Sequence, residues 1–186
     1  MSKSVFLLVY ETVAEFEVAV LLTALRGTGH SLTTVGVTRE PVTTTGRLTL
    51  LPDVAIDAVD PAAVDALVIP GGDAAHAMGN EHLRALIRSL DSRSALLAAI
   101  CGGPAVLGDA GVLDGRRYTA ALEPTDAAYE GIHGRGTREP ELLVTDRNLV
   151  TAVGSAYLLF AEEVLRHLAD GSATERLTYF REPTMA

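Results

Sequence analysis

Residues 94–104 constrain the fold of this chain more than any other segment. An apolar run over 94–100 ends at Cys101, the only cysteine, and the turn Gly102-Gly103-Pro104 follows at once. Small residues at helical spacing continue over 105–111. A strand, a sharp turn and a helix with a nucleophile at the corner form a nucleophile elbow. The partial positive charge of a helix N-terminus favours a thiolate, so the pattern predicts a reactive Cys101.

Strand-length apolar runs alternate with helical patterns before this elbow. The runs are typical of strands buried on both faces, and the spacing between them predicts helices. We expect strands at 5–10, 31–37 and 66–70, and helices at 14–25 and 81–90. This succession predicts an α/β fold with a doubly wound, mainly parallel sheet between helices. Ligands bind at the carboxyl ends of the strands in such sheets, where Gly71-Gly72 and Cys101 both fall.

The chain after the elbow contains shorter patterns. A brief strand is expected at 117–120, and a hairpin is expected from strands at 142–145 and 149–153. Helices are predicted at 156–168 and 172–180. The chain has 186 residues, which is enough for one well-formed core. We therefore expect one domain over 1–186.

Composition excludes several classes of function. The formal net charge of −9 disfavours nucleic acid as a partner, because nucleic-acid binding requires a basic surface. No apolar run reaches the length of a membrane span. A lone cysteine excludes an intramolecular disulfide and a cysteine metal cluster. With no cleavable signal pattern before the first strand, these features predict a cytoplasmic protein that binds neither nucleic acid nor membrane.

Several motifs together resemble the ThiJ/PfpI superfamily over essentially the whole chain. They are Glu15-Phe16-Glu17, the strand end at 68–72, the elbow at 98–104, the segment 111–115 and the run 148–151. The Pro-Gly-Gly strand end and the Ala-x-Cys-x-Gly elbow are specific at this separation. The resemblance implies a class I glutamine-amidotransferase-like, flavodoxin-type fold and a homodimer.

The same resemblance implies roles for individual residues. Cys101 is expected to be the reactive thiolate, and the amides of Gly72 and Gly102 are expected to form an oxyanion hole. Glu17 is expected to be a buried acid that hydrogen-bonds the cysteine and relays a proton. Sequence spacing alone favours a solvated glutamate in the first helical turn, and the family resemblance reverses that interpretation. A carboxyl buried among apolar neighbours has a raised pKa and can donate to a thiolate.

Departures from the family pattern bear on the reaction. Many members carry a histidine directly after the cysteine, where this chain has Gly102, or one in a Thr-Thr-His pattern, where it has Ala121. Isonitrile-hydratase-like members place a hydroxyl residue after the cysteine, which Gly102 lacks. A protease-like Cys-His pair is therefore not evident, and only His76 and His133 are candidates for the pocket. His30, His82 and His167 are predicted to lie on the surface.

These residues favour a cysteine-dependent enzyme that acts on a small electrophile without a cofactor. Glyoxalase, deglycase or isonitrile hydratase activity would fit, with Glu17 doing all the acid–base work. An alternative is a non-enzymatic redox sensor or stress-protective protein that acts through oxidation of Cys101, and a third is an inert site on an inherited fold. No metal-ligand spacing and no phosphate-loop or dinucleotide fingerprint is present, so no metal and no cofactor is expected.

Overall fold

Eleven strands and four α-helices make up the part of the chain that the computed structural model describes, residues 2–121, 136–168 and 175–181. The helices are α1 (Phe16–Leu25), α2 (Glu81–Ser92), α3 (Pro104–Asp109) and α4 (Tyr157–His167). The strands are β1 (Ser4–Val9), β2 (Ser31–Gly36), β3 (Val42–Thr43), β4 (Thr49–Leu50), β5 (Val54–Ala55), β6 (Ala66–Ile69), β7 (Leu96–Ile100), β8 (Arg117–Tyr118), β9 (Thr137–Arg138), β10 (Leu143–Asp146) and β11 (Leu149–Ala152).

Seven of these strands form the main sheet, in the order β10-β11-β7-β6-β1-β2-β5. Every pairing in it is parallel except β10 with β11, which form an antiparallel hairpin. Ile69 of β6 lies opposite Ala99 of β7, so the two strands end at nearly the same level. The predicted mainly parallel α/β fold is confirmed. Residues 70–72 and Cys101 follow the carboxyl ends of β6 and β7, so they lie at the same edge of the sheet.

Two apolar clusters cover the two faces of the sheet. Leu8 of β1 packs into the cluster that includes α2 and α3, whereas Leu7 and Val9 pack into the cluster that includes α1 and α4. This placement explains why β1, β6 and β7 are apolar on both faces rather than alternating. Within the described ranges, no helix combines the length and the apolarity needed to cross a membrane.

The short elements differ most from the sequence predictions. The strand expected at 117–120 stops at Tyr118, where β8 pairs with β9. The helix expected at 172–180 falls partly outside the described residues, and its described end at Leu177–Phe180 is a 3₁₀ turn. Neither segment has the long periodic pattern that makes a sequence prediction dependable. The prediction of one domain over 1–186 stays a prediction.

Gly103 allows the elbow to pack tightly against the end of β6. A Cβ atom added there would lie 2.3 Å from the carbonyl oxygen of Ile69 and 2.9 Å from that of Pro70. Both obstacles belong to the backbone and cannot rotate away. The turn after Cys101 can approach β6 this closely only because residue 103 has no side chain.

We therefore predict that Gly103→Ala lowers the free energy of unfolding by about 2 kcal/mol, the usual cost of overpacking. Gly29→Ala is the matched control, since a Cβ at Gly29 would meet nothing within 4 Å, and it should change stability little. Urea unfolding of both variants measures the difference. Equal stabilities would show that the close approach of the elbow to β6 is not a constraint.

Candidate active site

Cys101 occupies the corner between β7 and α3 in a left-handed backbone conformation, with φ of 63°. This conformation is uncommon for a residue with a side chain, and hydrogen bonds on both sides hold it. The Cys101 amide donates to the Ala152 carbonyl at 2.8 Å, and the Cys101 carbonyl accepts from the Ala121 amide at 3.0 Å. The predicted strained corner is present, and its thiol is half-buried.

Glu17 lies in the first turn of α1, and only 1% of its surface is exposed. Its side chain hydrogen-bonds Cys101, and its Oε2 atom accepts a hydrogen bond from the Gly71 amide at 2.7 Å. The solvated glutamate that sequence spacing also allowed is therefore excluded. The carboxyl and the thiol form one buried polar pair.

Two glycines leave room for this pair. A Cβ at Gly71 would lie 2.6 Å from the Cys101 Cβ and 2.8 Å from Glu17 Oε2. A Cβ at Gly154 would lie 3.1 Å from both Cys101 Sγ and Glu17 Oε1. Gly71 belongs to the Pro-Gly-Gly strand end, which is a recognisable sequence motif. The sequence around Gly154 predicts only the start of a helix and does not indicate a place in the site.

The backbone amides of Gly72 and Gly102 hydrogen-bond the Cys101 thiol, and these bonds work to lower its pKa. Gly72 has φ of 111°, and a Cβ there would lie 2.1 Å from the Thr12 carbonyl oxygen. Position 72 therefore requires glycine. The sequence pattern predicted that the helix N-terminus stabilises the thiolate, but α3 has only six residues and begins at Pro104, so the Gly72 and Gly102 amides are the direct donors.

Burial opposes ionisation of both partners. Burial raises the pKa of Glu17, although the hydrogen bonds from Cys101 and Gly71 act in the opposite direction. Beside an ionised Glu17, burial together with the carboxylate raises the pKa of Cys101 to about 12. Two adjacent buried acids cannot both carry a charge, so the pair holds one proton and titrates as a unit.

The surroundings of the two groups indicate where the single negative charge resides. The sulfur is half-buried and receives the Gly72 and Gly102 amides, whereas Glu17 is almost fully buried and, among the described residues, receives one amide, that of Gly71. A charge is less destabilised where solvent and more donors reach it. We therefore predict that the proton of the pair resides on Glu17 and the charge on sulfur.

Two histidines were candidates for the pocket. The His76 side chain is 46% exposed, with Nε2 3.9 Å from an Asp73 carboxylate oxygen, and its place in the pocket stays a prediction. His133 lies outside the described residues. His30 accepts the Lys3 amide, His167 lies against the Glu163 carbonyl and His82 is exposed. In the part of the chain that is described, no His, Cys, Asp and Glu side chains cluster in a way that could hold a metal.

Comparison with known proteins agrees with this geometry. The sequence model of the DJ-1/PfpI family matches residues 3–167. The uncharacterized protease YoaZ of Bacillus subtilis is 30% identical over 179 residues, which cover 90% of this chain and 84% of that protein. A deglycase of Thermococcus kodakarensis is 34% identical over 113 residues, or 60% of this chain and 68% of that protein.

A solved structure shares the whole architecture. The DJ-1 superfamily protein Atu0886 from Agrobacterium tumefaciens superposes with a TM-score of 0.83 at 32% identity, covering 96% of this chain and 97% of that one.

The position of the shared proton can be tested by alkylating the lone thiol with iodoacetamide as a function of pH. With the charge on sulfur, Glu17→Gln replaces an O–H donor by a weaker amide donor and destabilises the thiolate. We predict that the midpoint of the alkylation profile rises by about one pH unit. With the charge on the carboxylate, the substitution would remove a repelling charge and the midpoint would fall.

Glu15→Gln is the matched control for this measurement. Glu15 precedes the same helix, but its carboxylate accepts hydrogen bonds from Thr45 Oγ1 at 3.1 Å and the Gly46 amide at 3.3 Å. Its substitution should leave the midpoint unchanged. A fall in the midpoint of Glu17→Gln, or an equal rise in both variants, would contradict the assignment of the proton to Glu17.

Proposed function

We propose, on the premise that the chain belongs to the DJ-1/PfpI family, that it is a cofactor-independent cysteine enzyme acting on small carbonyl electrophiles. The observation that carries the proposal is the buried Glu17–Cys101 pair with the Gly72 and Gly102 amides on the sulfur. The deglycase name of the archaeal relative supports α-oxoaldehydes, or their adducts with amines and thiols, as the substrate class.

The chemistry begins at the sulfur. The Cys101 thiolate attacks the aldehyde carbon, a C–S bond forms, and the carbonyl electron pair moves onto oxygen. This oxygen develops beside the sulfur, within reach of the Gly72 and Gly102 amides, which act as its oxyanion hole. Glu17 gives its proton to the oxyanion and becomes a carboxylate, and the product of this step is a hemithioacetal.

Glu17 then serves as the base. Its carboxylate removes the proton from the former aldehyde carbon while the neighbouring carbonyl oxygen takes up a proton, which gives an enediol. Glu17 then returns its proton to the neighbouring carbon, and the hydroxyl on the sulfur-bearing carbon loses its proton as the C=O bond of a 2-hydroxy thioester forms. Water hydrolyses the thioester, releases the 2-hydroxy acid and restores the Cys101 and Glu17 pair with its single proton. The oxidation of one carbon is balanced by the reduction of its neighbour, so no external oxidant or cofactor is needed.

Proteolysis fits this site less well, although one relative is named as a protease. Peptide cleavage requires a base that also protonates the leaving amine, usually a histidine beside the nucleophile. The hydrogen bonds described for the Cys101 and Glu17 side chains join them to each other and to glycine amides, not to a histidine. Hydration of an isonitrile needs only nucleophilic attack at its carbon and proton transfer. Isonitriles are therefore a second substrate class to be screened.

Redox sensing is a second candidate function, favoured by a half-buried thiol beside a carboxyl. Peroxide would oxidise Cys101 to the sulfenic and then the sulfinic acid, with each step reducing one peroxide to water. A protonated Glu17 would then donate a hydrogen bond to the sulfinate. Consumption of about two peroxides per chain without aldehyde turnover would favour this function over catalysis.

The enzymatic proposal predicts turnover of methylglyoxal to lactate. Cys101→Ser should reduce activity to background, and Glu17→Gln should lower kcat by about 100-fold, because general acid–base groups contribute at least that much. His76→Gln, which alters an exposed residue beside Asp73, should stay within about twofold of the wild type. Full activity of Cys101→Ser would disprove the mechanism.

We also propose that the chain forms a homodimer, through apolar residues exposed near the start of α1. Phe16 and Leu48 are each 55% exposed. They belong to neighbouring elements, because Thr45 and Gly46 of the β3–β4 hairpin contact Glu15. Clustered exposed apolar side chains mark association surfaces.

Light scattering tests the dimer. We predict a mass of about two chains for the wild type and of one chain for Leu48→Glu, since a buried unpaired charge opposes association. Leu142→Glu is the control, because Leu142 is equally exposed but precedes β10, which lies four strands away from β1 in the sheet. A monomeric wild type, or dissociation by both substitutions, would refute this surface.

A further inference from the structure

Tyr10 follows directly on β1, at the same edge of the sheet as Cys101, and only 1% of its surface is exposed. Its hydroxyl oxygen lies 2.8 Å from the Pro70 carbonyl oxygen and 2.8 Å from the Gly71 carbonyl oxygen. The single hydroxyl hydrogen is therefore shared between two consecutive carbonyl oxygens of the loop after β6. The Gly71 carbonyl also accepts the Ala14 amide at 2.9 Å.

The peptide plane converts these contacts into the orientation of two amides. In a planar trans peptide, each N–H points opposite to the carbonyl of the preceding residue. Holding the Pro70 carbonyl thus aims the Gly71 N–H, which donates to Glu17 Oε2 at 2.7 Å. Holding the Gly71 carbonyl aims the Gly72 N–H, which donates to the Cys101 sulfur.

We propose that Tyr10 is a positioning residue, whose hydroxyl aims the Gly71 amide at Glu17 and the Gly72 amide at Cys101. This inference rests on the proposed function, because it concerns the same Glu17–Cys101 site. Tyr10 acts through the two peptides.

Tyr10→Phe removes the hydroxyl and retains the ring that fills the core. We expect the Gly72 amide to stabilise the thiolate less, so the midpoint of Cys101 alkylation rises by about half a pH unit. For methylglyoxal, kcat should fall about tenfold, because misaimed oxyanion donors raise the barrier. KM should stay within about twofold.

Tyr118→Phe is the matched control, since Tyr118 is also 1% exposed and belongs to the same apolar cluster as Tyr10. Circular dichroism melts show whether both variants are folded. A change in Tyr10→Phe alone supports the proposal. Unchanged alkylation and kcat in a folded Tyr10→Phe, or the same changes in both variants, would overturn it.

The alkylation profile separates this proposal from the proposed function. A wild type that turns over no aldehyde would remove the enzymatic proposal, but a shifted midpoint in Tyr10→Phe would still support the positioning role on the thiol itself. Conversely, aldehyde turnover that depends on Cys101 and Glu17 but not on Tyr10 would preserve the function and reject the positioning role.

Discussion

The hydrogen bond between the Glu17 carboxyl and the Cys101 thiol is the contact on which the rest of the site depends. Burial of two acids is costly unless one stays protonated and the remaining charge is hydrogen-bonded. The surrounding elements meet this requirement. Gly71 and Gly154 let the backbone approach the Cys101 and Glu17 side chains, because neither glycine has a side chain that would occupy their space. The amides of Gly71, Gly72 and Gly102 donate hydrogen bonds to the pair.

The parallel sheet makes this arrangement possible. Strands β1, β6 and β7 are neighbours and run in the same direction, so the loops that follow them meet at one edge. Tyr10 and Thr12 come from the first loop, Gly71 and Gly72 from the second, and Cys101 from the third. Glu17 enters because α1 begins at the same edge after β1. The ligand-binding edge predicted for a doubly wound sheet thus coincides with the polar pair.

The parts predicted well from sequence depend on local patterns. The apolar runs at 5–10, 66–70 and 94–100 became β1, β6 and β7 with small changes of boundary, and the corner at Cys101 has the strained geometry expected of an elbow. Sequence patterns said less where the outcome depends on distant neighbours. His76 follows Gly71-Gly72 closely in sequence, and its side chain is 46% exposed beside Asp73. Tyr10 appeared only as the end of an apolar run, although a hydroxyl in a buried strand requires a partner.

The sequence alone therefore determined the sheet, the elbow and the cysteine at its corner, because periodicity and turn residues act over a few neighbouring positions. The family resemblance implied Glu17, Gly72 and Gly102 as partners of Cys101, but only the tertiary structure decided which groups meet its side chain. Glu17 and Gly71 are 54 residues apart, and Tyr10 and Gly71 are 61 apart. Such contacts arise from strand order and from the distances between packed backbones. No spacing along the chain encodes the direction in which a buried amide points.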